Sequence, residues 1–364
     1  MVRFRRSLPF TLGVEIELQV LDARTLSLTP GGPKIQHLAE ERLGPLVKPE
    51  AFSSMLELIT PVCQDLTEVD EFLREALSYL FSLAEAEGFL LWPASLHPFS
   101  LAEEQQVWDH PRYHRIFKEL QLPGRRFIAQ GLHIHVGMET PEVAIKVYNW
   151  LRPYLPLFLA LTTSSPFYEG RPSGLYSYRS KLFEVLPLAG LPRFFKDWQE
   201  FEDLINLLNR LEIIESIRDL WWDIRIHPDF GTVEIRIYDV PTRYQDILTI
   251  IDLTRALARL FSEEEAPPPC PPEEIIRYNK WQAGRYGLDG TFISPDFKRH
   301  SFRELALGLG QQISTLEAPQ AFSYIEGLRR ILQQGTGAHQ MLALYREGLP
   351  FEEIIRRIIG DFWS

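Results

Sequence analysis

Four segments of this chain alternate apolar and charged residues with a period of two, and that period belongs to β-strands packed on one face only. In the first, Val14, Ile16, Leu18 and Val20 fall on one side and Glu15, Glu17 and Gln19 on the other. In Leu132 to Met138, Leu132, Ile134 and Val136 oppose His133 and His135. Trp222, Ile224 and Ile226 oppose Asp223, Arg225 and His227, and Val233, Ile235 and Ile237 oppose Glu234, Arg236 and Tyr238. Such strands build a sheet with one apolar face to cover and one face of carboxylates, imidazoles and guanidiniums. Short turns and long helical excursions join them, which points to an α+β fold on an antiparallel sheet.

The strands are expected at Thr11 to Leu21, Ser54 to Thr60, Phe89 to Trp92, Leu132 to Met138, Trp221 to Ile226 and Thr232 to Tyr238. A helix with Thr67 and Asp70 as a capping box runs to Gly88. Thr140-Pro141 opens another, which Pro153 and Pro156 should break or bend. Asp197 to Leu211 and Gln245 to Phe261 are further helices. The proline run at 266–272 is a stiff loop and the best boundary. It separates a catalytic part, 1–265, from a tail, 273–364, read as helices only and packed on the same domain.

The chain has 364 residues, 45% of them apolar and 24% charged, enough for a sizeable core. A net charge of −11 argues against a nucleic-acid partner. No window reaches the roughly 20 apolar residues of a membrane helix. Cys63 and Cys270 cannot make a disulfide framework, so a reducing cytoplasm is the simplest compartment. A homo-oligomer is the default assembly.

The polar face carries the chemistry. It holds Glu-x-Glu, His-x-His, Asp-x-Arg and Glu-x-Arg, and no lysine. Glutamates two apart on a strand lie about 7 Å from each other and repel by roughly 2 kcal/mol at an effective dielectric of 20. A hard cation relieves that repulsion, and carboxylate oxygen with an occasional imidazole suits Mg²⁺ or Mn²⁺. Arginines beside such cations grip phosphate. The combination reads as a site for a Mg²⁺–nucleoside triphosphate. No P-loop, dinucleotide fingerprint or His-Glu-x-x-His stretch offers another route. Cys63 reads as a small buried hydrophobe, His97 as structural, and His133 as either a packed residue or a ligand.

Several stretches resemble the type 2 glutamate–cysteine ligases, the bacterial carboxylate–amine ligase family. They are Gly13-Val14-Glu15-Ile16-Glu17, Leu56-Glu57-Leu58-Ile59-Thr60-Pro61, His133-Ile134-His135-Val136-Gly137, Ser164-Ser165-Pro166-Phe167, Ser177-Tyr178-Arg179, Trp221-Trp222-Asp223-Ile224-Arg225 and Gly231-Thr232-Val233-Glu234-Ile235-Arg236. Asn279-x-Trp281, Arg285-Tyr286-Gly287-Leu288 and Gly335-x-Gly337-Ala338 continue the match past the proline run. Ile16 replaces the family's middle glutamate, but by parity it lies on the apolar face, so Glu15 and Glu17 keep their place. Ser95-Leu96-His97-Pro98 and Arg171-Pro172-Ser173-Gly174 depart from the usual pattern in loops that shape a substrate pocket.

The resemblance implies a glutamine-synthetase-like fold, a curved antiparallel sheet with helices on its convex face and ATP, divalent ions and an amino acid in its concave face. It implies ATP-dependent joining of a carboxylate to an amine, with glutamate activated as an acyl phosphate. The expected metal ligands are Glu15, Glu17, Glu57, Glu234 and His135. Arg236 is the candidate for steadying the phosphoryl group; Arg225 could do the same or bind the substrate carboxylate. Arg179 and Arg285 are expected near substrate or phosphate, and Trp221 is open to stacking on the base. The amine acceptor stays unnamed. Two rivals remain: a metal-dependent hydrolase, because His-x-His occurs on strands in such sites, and a Mg²⁺–ATP-binding relative without turnover.

Overall fold

The computed structural model describes residues 2–316 and 322–364. In chain order its first half contains β1 (Leu12–Asp22), α1 (Gly32–Leu43), β2 (Val47–Pro49), β3 (Met55–Ile59), α2 (Leu66–Ala86), β4 (Phe89–Trp92), α3 (Pro111–Arg125), β5 (Leu132–Gly137), α4 (Pro141–Leu151), α5 (Leu155–Thr162), β6 (Phe167–Tyr168), β7 (Arg171–Pro172) and α6 (Arg179–Glu184). It continues with β8 (Ala189–Gly190), α7 (Trp198–Arg210), β9 (Trp221–Trp222), β10 (Ile224–His227), β11 (Thr232–Ile235), α8 (Tyr244–Glu263), α9 (Glu273–Tyr286), β12 (Thr291–Ile293), β13 (Arg299–Ser301), α10 (Phe302–Leu316), α11 (Phe322–Gln334), α12 (Gly337–Arg346) and α13 (Phe351–Gly360).

A seven-stranded sheet in the order β10-β11-β5-β1-β3-β2 organises the molecule, with β4 also paired to β1. Every pairing in it is antiparallel. The eleven-residue β1 is its spine. The front half of β1 pairs with β5 and its end with β4, while β3 runs along the other edge. The alternation sets the register. Val14, Ile16, Leu18, Ile134, Val136, Ile224, Ile226, Val233 and Ile235 are all buried in one core with the apolar stripes of α2, α4 and α8. Each such side chain contributes about 1.5–3 kcal/mol on leaving water. A one-residue slip would turn all of them to the other face.

Helix α4 starts as expected, with Thr140 Oγ1 accepting from Val143 N; the prolines split it from α5 through one turn of 3₁₀ helix. Helix α2 starts earlier than the capping box suggested. Its cap is Asp65, whose carboxylate accepts from Thr67 N and Glu68 N, and Asp70 instead accepts from Tyr244 Oη. The Trp221–Ile226 segment is interrupted at Asp223, whose amide bonds to Gly190 O and whose carbonyl accepts from Arg236 N. Beyond the proline run the reading of helices alone is corrected. A β12–β13 hairpin intervenes, each strand too short to show a period. Residues 317–321, also covered by that helical reading, lie outside the described residues. Helix α9 packs along α5, and Ile276, Ala283, Leu288, Phe292 and Phe302 join the main core.

Candidate active site

The registers bring the charged residues of five strands onto one face. Glu15 lies opposite His133, Glu17 opposite Glu57, His135 opposite Glu234 and Glu234 opposite Arg225. Above this face is a cleft of about 280 Å³ lined by Glu15, Glu17, Glu50, Glu57, His133, His135 and Arg236. Its walls come from α3, through Arg112, Tyr113 and Phe117, from α6, through Arg179 and Phe183, and from Trp221 and Phe230. Four of the five residues expected to hold metal, Glu15, Glu17, Glu57 and His135, line this hollow, and Glu234 lies buried beneath it beside Glu15 and His135.

Three overlapping groups there have ligand atoms within 4.8 Å of one another: Glu15, His135 and Glu234; Glu15, Glu57 and His133; and Glu17, Glu50 and Glu57. The donor set fits a divalent cation. The buried Nε2 of His135 has no hydrogen-bond partner and points between Glu15 Oε1 at 3.4 Å and Glu234 Oε1 at 3.8 Å. Its Nδ1 lies 2.9 Å from Thr232 Oγ1, the outer contact that orients a ligating imidazole. Glu50 was not foreseen: it sits in the loop after β2, where no alternation marks it.

Charge is unevenly balanced across the cluster. Burial pushes Glu17 up to about 8, with Glu50 adding to the effect. Burial also raises Glu57, reinforced by Glu15, Glu50 and Glu17, and it raises Glu50 itself. Glu15 goes the other way: burial opposes ionisation, but the hydrogen bond of His133 and the nearness of the His135 imidazole hold it well below the usual range. Glu234 is likewise held low, against burial, by Arg225 and Arg236. The protein's own cations thus satisfy one end of the row and leave Glu17, Glu50 and Glu57 short of positive charge.

The arginines divide by their partners. Arg225 grips Glu234 in a fork, Nε to Oε2 at 2.8 Å and Nη2 to Oε1 at 3.0 Å. Its Nη1 donates to the carbonyls of Ile217 and Leu220, so every guanidinium nitrogen is engaged with the protein. It lines the cleft, and the part these bonds give it is to orient Glu234. Arg236 also pairs with Glu234 through Nη1, but its buried Nε is unpartnered. Arg179 is buried too, its Nη1 and Nη2 only 3.3 Å from backbone carbonyls and its Nε unpartnered.

Behind Arg179 stands Asp239, fully buried, 4.0 Å from its Nη1. Its carboxylate accepts from Ser164 N, Ser165 Oγ and Ser177 Oγ, which ties together the two serine motifs quoted above. Trp221 lines the cleft, whereas Trp222 joins the core, as parity required. Arg285 does not line it: it stands on α9 with its guanidinium 4.8 Å from the ring of its neighbour Tyr286. The reason is helical position, which the strand rule does not reach. His97 accepts from the amides of Phe99 and Ser100 and contacts Leu26 O at 2.8 Å, a loop-fixing role.

The sequence matches the model of the glutamate–cysteine ligase family 2, GCS2, over residues 11–358. A relative from Gloeobacter violaceus, provisionally named glutamate–cysteine ligase 2, is 38% identical over 97% of both chains. One from Herpetosiphon aurantiacus with the same provisional name is 34% identical over 97% of this chain and 93% of its own. In structure the chain is similar to a glutamate–cysteine ligase from Francisella tularensis solved with AMP, TM-score 0.70 at 14% identity over 99% of this chain and 90% of that one. It is also similar to a bifunctional glutathione synthetase from Pasteurella multocida, TM-score 0.72 at 14% identity over 97% of this chain and 52% of that one. The fold is glutamine-synthetase-like, a curved antiparallel sheet with helices on its convex face, and the chain belongs to glutamate–cysteine ligase family 2.

Proposed function

We propose that this chain is an ATP-dependent carboxylate–amine ligase that activates the γ-carboxylate of glutamate, or of a close analogue, and joins it to an amine. The observation that carries this reading is the set of three overlapping groups, two of carboxylates with an imidazole and one of carboxylates alone, linked through Glu15 and Glu57, with guanidiniums at one end. Glu15, His135 and Glu234 would hold one Mg²⁺ or Mn²⁺, and Glu17, Glu50 and Glu57 another. When bound, such ions neutralise phosphate charge and polarise the transferred group.

The chain's own residues do the rest. Arg225 fixes Glu234, so the carboxylate's direction is set before substrate arrives. Arg236 lines the cleft and has an unpartnered Nε, and it would steady the charge that develops on the transferred phosphoryl group. Arg179, braced by Asp239, presents a buried cation to an acid substrate. The substrate carboxylate oxygen attacks the γ-phosphorus, the bond to ADP breaks and an acyl phosphate forms. The amine nitrogen then attacks the acyl carbon, inorganic phosphate leaves and an amide remains. Walls of Phe117, Phe127 and Phe183 limit water at this step.

The test is a screen for ADP release over pairs of amino acids and amines with Mg²⁺, followed by hydroxylamine trapping. Trapped hydroxamate requires both ATP and the right acid. ADP release without hydroxamate from any acid would refute the acyl phosphate, and no acid-dependent ADP release would refute the ligase.

A further inference from the structure

Two motifs of the tail, Arg285-Tyr286-Gly287-Leu288 and Gly335-x-Gly337-Ala338, do not line the cleft. Both close instead on one short loop, residues 176–178, that leads into Arg179. Helix α9 supplies the first hold. The last four carbonyls of a helix have no partner within it, and here that of Gly284 accepts from Tyr176 N at 2.8 Å and from Ser177 N at 3.0 Å. The chain then turns at Gly287, φ +56°, where a Cβ would stand 2.9 Å from Tyr176 Cδ1 and 3.0 Å from His339 Cε1.

The start of α12 supplies the second hold. His339 Nδ1 accepts from Thr336 N at 3.2 Å and lies 2.8 Å from Thr336 Oγ1. That fixes the imidazole against the ring of Tyr176, with centroids 4.6 Å apart. Gly335, φ +80°, leaves room for it, since a Cβ there would meet His339 Cβ at 2.6 Å. Thr336 Oγ1 is also 2.7 Å from Thr163 Oγ1, and Ala338 N donates to Thr163 O, so α12 is fastened to the residue before Ser164.

From the loop to the cleft is a short step. Ser165 N donates to Tyr176 O, and Tyr178 N to Ser165 O. Ser165 Oγ accepts from Arg179 N and donates to Asp239, as Ser177 Oγ does. The guanidinium of Arg179 has little slack: a Cβ on Gly131, just before β5, would meet its Nη2 at 2.3 Å. A displaced loop therefore displaces a buried cation that lines the cleft.

We propose that Tyr176 and His339 are positioning residues for Arg179: the two tail motifs clamp residues 176–178 and so set how tightly the acid substrate is held. The assignment rests on the ligase reading, in which Arg179 presents its cation to the acid. It gives the tail a part in recognising the acid and none in recognising the nucleotide.

The experiment measures steady-state turnover of the full chain. Tyr176→Ala removes the ring that both motifs meet. It should raise KM for glutamate about tenfold and leave KM for ATP within about twofold, while Tyr176→Phe restores the parent values. His339→Asn keeps an acceptor for the Thr336 amide but loses the ring contact, so it should raise KM for glutamate with a thermal midpoint closer to the parent's. In an Arg179→Ala background, Tyr176→Ala should take nothing more from kcat/KM for glutamate, because its effect passes through the missing guanidinium. A lowered midpoint with an unchanged KM for glutamate, or losses that add in full, would overturn the clamp and leave the ligase in place. An Arg179→Ala variant with the parent's KM for glutamate would remove Arg179 from the acid site and the clamp's purpose with it. A parent chain that releases no ADP with any acid would overturn the ligase reading and this assignment together.

Discussion

Glu234 shows how a single buried carboxylate can serve stability and chemistry together. It is fully buried, forked by Arg225 and paired with Arg236, and removing one partner of such a pair costs about 3–5 kcal/mol. Glu234→Gln should therefore lose ligase activity and lower the thermal midpoint together. Glu15 pairs with the imidazoles of His133 and His135 and has a side chain 19% exposed. Glu15→Gln should abolish Mg²⁺-dependent ADP release with a midpoint within a few degrees of the parent, read by circular dichroism; full ADP release would refute its place as a ligand.

The raised carboxyls give a second residue-level prediction. A group whose folded pKa stands above its unfolded value disfavours the folded state once it ionises. Glu17, moved from 4.5 to about 8 by burial and Glu50, thus subtracts stability as pH rises through that window. Glu234, held low, adds stability that persists above its unfolded value and is lost only in acid. Without divalent ions the thermal midpoint should fall between about pH 5 and about pH 8. Mg²⁺ should raise it more at the upper end, because cations bind the deprotonated carboxylates, and Glu17→Gln should flatten both trends. A midpoint that ignores Mg²⁺ at the upper end would count against these ligands.

At the scale of elements, legibility followed the length of the periodic signal. The strands around Glu15, His133 and Glu234 were readable because each has an apolar face in the core, and that burial dictates which side chains reach the cleft. Helix α1 was missed because it opens on Gly32-Pro33 with no capping side chain. Helix α3 was missed because the chain kinks at Gln121, φ +50°, two residues before Pro123. Its consequence was larger, since α3 carries Arg112, Tyr113 and Phe117 over the site, and Glu50 stayed hidden in the loop that α3 faces. The cap of α2 was misread by two residues: Thr67 looked like the start, but Asp65 reaches the free amides. Asp65→Ala should cost about 1 kcal/mol in urea unfolding, and Thr67→Ala much less. The reverse order would restore the Thr67 cap.

Across the whole molecule, a buried ion pair ties the tail beyond the proline run to the sheet. Lys280 on α9 donates to Asp223 Oδ2 at 2.7 Å, both side chains at most 5% exposed. Asp223 is the residue that separates β9 from β10 and accepts from Arg236 N, so the tail braces the strand pair that presents Arg225 and Arg236. Parity placed Asp223 on the polar face beside Arg225 but could not show that its partner comes from 57 residues further along. From this we infer that the tail and residues 1–265 unfold as one unit, with equal calorimetric and van't Hoff enthalpies. Lys280→Met strands a buried carboxylate and should cost about 3–5 kcal/mol. Adding Asp223→Leu removes the orphaned charge and should recover much of that loss. Recovery of stability without recovery of kcat would mark the pair as the brace of Arg236, whereas two separate melting transitions in the parent chain would show that the tail folds by itself and the brace is not shared.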